Sequence, residues 1–139
     1  MKVHEVPGKL VTEYLDDSRA MLDTWTTYGV TLPEFRQAVL VDGVAAAKAH
    51  GAVAWIVDSS KATGAFNQDI QTFIGTDIFP AFAKAGIKFF ITITSEVSAV
   101  TKMTVSSYSA KVGPHGLQLV ETRSVADAKA WLKVNAAKA

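Results

Sequence analysis

Two short apolar runs, each bounded by polar residues and separated by a helical pattern, constrain this chain more than any other feature. The first is Val53-Ala54-Trp55-Ile56-Val57, and the second is Lys88-Phe89-Phe90-Ile91-Thr92-Ile93-Thr94. Both are too short for a buried helix and rich in β-branched and aromatic residues, so they read as strands covered on both faces. Strands of that kind alternating with helices imply parallel pairing and right-handed crossovers, which leaves few topologies open.

The helical stretches carry their own signals. Thr31 at a cap, Pro33 in the first turn and Glu34 three residues on form a capping box. Leu32, Phe35, Val39, Gly43 and Ala46 then recur on one apolar face, and Gly51 supplies a stop. A second helix is expected from Asn67 as cap, with Ile70, Ile74, Ile78, Ala81 and Ala85 on one face. Pro80 falls inside it, removes a backbone donor and is expected to kink or divide it. Gly86 ends that helix.

Ahead of these elements, residues 9–15 and 20–28 are rich in β-formers, and Asp16-Asp17-Ser18-Arg19 between them has turn chemistry, which gives a hairpin. Behind them, residues 96–112 read as a helix of poor composition, rich in Ser and Thr and dependent on packing. Leu117–Glu121 reads as a last strand. Ser124-Val125-Ala126-Asp127 opens a terminal helix with Ala128, Trp131 and Leu132 inward. The expected fold is α/β: an N-terminal β-hairpin, then alternating α and β, in a mostly parallel central sheet of about five strands with about four helices. No repeat or linker divides the chain, so residues 1–139 read as a single domain with its core at about 9–133.

Composition narrows the function classes. The chain has 139 residues, 49% of them hydrophobic and 19% charged, with a net charge of +1 and no cysteine. That excludes disulfides, thiolate metal sites and cysteine nucleophiles, and no apolar stretch is long enough to span a bilayer. The N-terminus lacks the apolar run of a signal peptide, so a cytoplasmic location is expected. Acids concentrate before residue 78 and bases after it. The later cations are scattered without interleaved aromatics, which argues against nucleic acid. Neither a Walker loop nor a G-x-G-x-x-G run is present.

With these residues laid out, the chain resembles the SpoIIAA-like group of STAS-related domains, which includes anti-anti-sigma factors. The likeness is carried by Trp25, Gly29 and Thr31-Leu32-Pro33-Glu34-Phe35-Arg36, by Trp55-Ile56-Val57-Asp58, by Ala85-Gly86-Ile87-Lys88, and by the tail Ser124–Leu132. The resemblance implies a bacterial, non-enzymatic regulatory module that acts through a protein partner or as a homodimer. Anti-anti-sigma members carry a phosphorylated serine in the turn before the second helix. The matching segment here, Ala65-Phe66-Asn67-Gln68-Asp69, has neither serine nor threonine, so the phospho-switch does not carry over.

Parallel sheets bind ligands beyond the carboxyl ends of their strands. Asp58, Ser59, Ser60, Asn67, Asp69, Thr94 and Ser95 are therefore the candidates for a polar mouth that takes a ligand or partner. Met103, Ser107 and Tyr108 on the hydroxyl-rich helix are candidate interface residues. The alternative function is a small-molecule or lipid-binding domain whose pocket lies at those strand ends, between them and the helix around Pro80. A closed apolar cavity bounded by Phe73, Phe79 and Phe82 would favour it. His4, His50 and His115 stand alone at no ligand spacing, and neither metal nor cofactor is expected.

Overall fold

The computed structural model describes residues 2–58, 60–64, 66–93, 118–122 and 124–135. Six strands form one mixed sheet in sequence order: β1 (Lys2–Val6), β2 (Leu10–Leu15), β3 (Ala20–Trp25), β4 (Ala54–Asp58), β5 (Phe89–Ile93) and β6 (Gln118–Thr122). β1, β2 and β3 pair antiparallel, and β3 to β6 pair parallel. The five expected strands correspond to β2–β6. β1 adds a sixth at the edge, so the sheet is mixed rather than mostly parallel. Its short charged sequence hides it. It is held by its ladder to β2, by Val6 in the core and by a 2.7 Å contact between His4 Nδ1 and Asp42 Oδ2.

Helices cover both faces. On one face lie two long rods, each α-helical at its ends and π-helical in the middle. The first joins α1 (Leu32–Phe35), a π-helical segment at Arg36–Gly43, and α2 (Val44–His50). Its start is the expected capping box: Glu34 N–H donates to Thr31 Oγ1 at 3.3 Å and Thr31 N–H donates to Glu34 Oε1 at 2.8 Å. It ends at Gly51, whose φ of 68° is the left-handed cap that glycine adopts without strain.

The second rod joins α3 (Gln68–Phe73), a π-helical segment at Ile74–Ile78, and α4 (Phe79–Lys84). Pro80 divides this helix as expected, but by a change of winding rather than a break. In an unbroken α-helix the proline ring would meet the carbonyl four residues back. Here the turn before it is widened, with Phe79 N–H donating to Ile74 C=O, five residues back.

The other face is covered by α5 (Val125–Asn135), which buries Ala128 and Leu132 against Ala20, Leu22, Ala54, Ile56, Phe89 and Ile91. The helix expected at 96–112 lies outside the described residues.

β-strand alternation divides the core in two. Leu10, Tyr14, Met21, Trp25, Trp55, Val57 and Phe90 face the two π-containing rods, and the intervening residues face α5. One row across the first face carries three polar residues among its four. Thr12, Asp23, Val57 and Thr92 are successive partners across β2–β5, and Thr12, Asp23 and Thr92 are the buried polar residues of the described chain.

Candidate functional site

The expected mouth at the strand ends is largely satisfied by its own local bonds. Asp58 Oδ1 accepts from the Ser60 N–H at 3.0 Å and from the Ser60 hydroxyl at 2.6 Å, an Asx-type turn that closes the end of β4. Asn67 caps α3, its Oδ1 accepting from Ile70 N–H at 3.0 Å. Asp69 is exposed in the first turn of α3, where a carboxylate complements the helix dipole. The alternation that puts Ala54 and Ile56 toward α5 puts Asp58 on that face too, away from the two rods. Ser59, Thr94 and Ser95 lie outside the described residues, as do the interface candidates Met103, Ser107 and Tyr108 and the turn residue His115.

The chemically distinctive group is Asp23, which no motif in the sequence marks. It lies in the middle of β3, between Met21 and Trp25 on the core face, and is 2% exposed. Two neutral donors reach it. The hydroxyl of Thr12, its partner across the antiparallel pair, donates to Oδ1 at 2.8 Å, and the indole Nε1–H of Trp55 on β4 donates to Oδ2 at 2.8 Å. No lysine, arginine or histidine among the described residues forms an ion pair with it. Burial without a countercharge pushes its carboxyl up from the ordinary 3.8 to about 6, and the two hydrogen bonds only partly oppose that rise.

Asp23 borders a cavity of about 20 Å3 among buried side chains, room for roughly one or two non-hydrogen atoms. Each lining residue is at most 4% exposed. The walls come from two ring clusters. In one, Trp25, Phe35 and Phe66 meet with centroids 5.1 to 6.0 Å apart. In the other, Trp55 stacks on Phe82 at 4.1 Å and Phe79 meets Phe90 edge-on at 5.3 Å. Val39, Ile74 and Ile78 complete the lining from the two π-helical segments. Of the three phenylalanines whose enclosure of a cavity would favour the ligand reading, Phe79 and Phe82 line this one. Phe73 packs on Phe35 outside it.

The Trp55 indole owes its position to Gly43. A Cβ built there would stand 2.7 Å from Trp55 Cη2 and 2.9 Å from the Ala38 carbonyl, so the helix approaches the ring only because the side chain is absent. Gly43 therefore helps aim the indole N–H at Asp23.

Comparison with protein families, curated proteins and solved structures finds no match to this chain. The site must be read from its own chemistry. Among the described residues, no group of three or more His, Asp or Glu side chains converges as a metal site, and no helix is long and apolar enough to cross a membrane. A second, open hollow of about 480 Å3 lies between the β2–β3 turn and α5, lined in part by Asp17, Arg19, Lys129 and Lys133. Two of its cations are engaged locally. Lys129 Nζ lies 3.4 Å from Asp17, and Arg19 donates to the Gly51 carbonyl at 3.0 Å.

The sequence held one signal for Asp23. In Ala20-Met21-Leu22-Asp23-Thr24-Trp25 the acid shares its strand face with Met21 and Trp25, so two-residue alternation puts it on the same side as two large apolar side chains. Seen without that alternation, an acid in a hairpin strand reads as solvated.

Proposed function

We propose that this protein is a small-molecule-binding domain, non-enzymatic, whose ligand anchors on Asp23 in the cavity between the sheet and the two π-containing rods. The observation that carries the reading is a buried carboxyl with no ion-pair partner among the described residues, at the edge of an aromatic cavity. An apolar pocket with few convergent polar groups and a perturbed titratable residue is the ordinary form of a binding site. π-Helical turns are also frequent at functional sites, and here two of them form the wall opposite the sheet. The capped helix α1, the buried strand β4 and the docked α5 support the resemblance to SpoIIAA-like, STAS-related domains, which enters here as part of the proposal.

The test is a screen of fragments with roughly one or two non-hydrogen atoms, followed by NMR on the wild type and on Val57→Ile. Val57 lines the cavity, and one added methylene takes up most of its space. Fragments are expected to perturb the Trp55 indole resonance in the wild type and to lose that effect in Val57→Ile. Fragments that bind equally to both proteins would place the ligand elsewhere and refute the proposal.

A further inference from the structure

We infer that the ligand group received by Asp23 is a primary ammonium, the cationic head of a small amine. This rests on the binding-site reading above and specifies its ligand class. Asp23 accepts two hydrogen bonds, from Thr12 and Trp55, and both donors are neutral. A carboxylate offers about four lone-pair positions, so two accepting positions are left on a group that is 2% exposed.

Burial of an ionised carboxylate is tolerated when a cation shares its enclosure. The surrounding walls supply what a cation would meet next. Trp25, Trp55, Phe66, Phe82 and Phe90 all border the cavity, and aromatic faces attract an ammonium through the ring quadrupole. An anionic guest would face Asp23 directly. A guest with no donor would leave the two accepting positions empty. The size of the cavity sets the head: an ammonium with its first carbon fits about 20 Å3, and a bulky quaternary ammonium does not.

The same geometry makes binding depend on the charge of Asp23. Its carboxyl loses its proton near pH 6. An alkylammonium stays charged throughout the range below pH 9, so the pH dependence reports the carboxyl alone. Between pH 4.5 and pH 7.5 the ionised fraction rises from a few per cent to nearly all, and affinity for an ammonium is expected to rise roughly thirtyfold with it.

The experiment is a titration of the full chain with methylammonium chloride and, separately, with methanol, at constant ionic strength. It follows the Trp55 indole N–H resonance, assigned with Trp55→Phe. Methylammonium is expected to shift that resonance saturably, far more tightly than methanol, with affinity rising from pH 4.5 to pH 7.5. Asp23→Asn is expected to abolish the preference. Should Asp23→Asn fold poorly, the pH series on the wild type decides the question without a variant. Methanol binding as tightly as methylammonium, or methylammonium binding without pH dependence, would overturn the ammonium assignment and leave the ligand-binding reading standing. No saturable shift with either probe would overturn both.

Discussion

Asp23→Asn separates the cost of burying the charge at this site from every other contribution to stability. The substitution keeps the shape of the side chain. The Asn carbonyl can accept from the Trp55 indole, and its amide can donate to Thr12, whose hydroxyl rotates to accept. What disappears is the ionisable proton. In the folded chain the Asp23 carboxyl titrates near 6, against 3.8 when solvated, so the native state holds this proton more tightly than the unfolded state does. Below about pH 3 the group is neutral in both states and carries no charge cost. As pH rises from about 3 to about 6 the unfolded chain releases the proton first, and native stability falls. Above that range the loss is complete. At 1.36 kcal/mol per pKa unit it amounts to about 3 kcal/mol, a large fraction of the stability of an ordinary domain.

Urea unfolding at pH 4.0, 5.0, 6.0 and 7.5, followed by tryptophan fluorescence, measures this directly. Asp23→Asn is expected to gain about 2.5 kcal/mol relative to wild type between pH 4.0 and pH 7.5. Any cost of packing the amide is independent of pH and drops out of that change. Other carboxylates cancel as well. Glu34, held below its usual range by the Thr31 backbone N–H and by Lys9, makes stability rise with pH equally in both proteins. A gap between the two proteins that stays constant across the series would refute the argument, because Asp23 would then ionise in the fold as it does in water.

Three further substitutions test the frame around the site. Trp55→Phe removes the indole donor and leaves Asp23 Oδ2 without its partner, at an expected cost of about 1 to 3 kcal/mol at pH 7.5 and less at pH 4.0; the same urea series reads both. Gly43→Ala should gain about 1 kcal/mol in helix propensity, but its Cβ would meet Trp55 and the Ala38 carbonyl below 3.0 Å. Net destabilisation of about 1 to 2 kcal/mol is therefore expected by urea unfolding, and a stabilised variant would contradict the close approach. Thr31→Ala removes one half of the capping box and should lower stability by about 1 kcal/mol in thermal unfolding, with no effect on the Trp55 indole resonance.

Much of the fold was legible because its signals are local. The capping box at Thr31 and Glu34, the αL stop at Gly51 and the Asn67 cap depend on residues within four positions of one another, and each occurs where the sequence places it. β1 was not legible. Its ladder runs to the adjacent β2, but the side chains that settle it meet partners distant in sequence: Val6 in the core and Asp42 on the first rod beside His4. The polar mouth at Asp58 was expected from topology. Of its described members, Asp58 accepts from the Ser60 N–H and hydroxyl two residues away and Asn67 caps α3, while Ser59, Thr94 and Ser95 lie outside the described residues.

The π-helical segments left a mark in the sequence that an α-helical reading passes over. Phe35, Val39, Gly43 and Ala47 are buried along the first rod, and Ile70, Ile74, Ile78 and Phe82 along the second, both in unbroken steps of four. An α-helix of 3.6 residues per turn rotates such a series by about 40° at each step, or about 120° over three steps. That drift would carry the last residue off the face of the first. A π turn holds more residues, so it turns the series back, and both rods place their π-helical segments within the series of four. The periodicity therefore predicts mixed winding, and the two widened turns follow from keeping one straight apolar line against the sheet. They bring Val39, Ile74 and Ile78 opposite Asp23. The winding that aligns the core thus also shapes the wall of the cavity around the buried carboxyl.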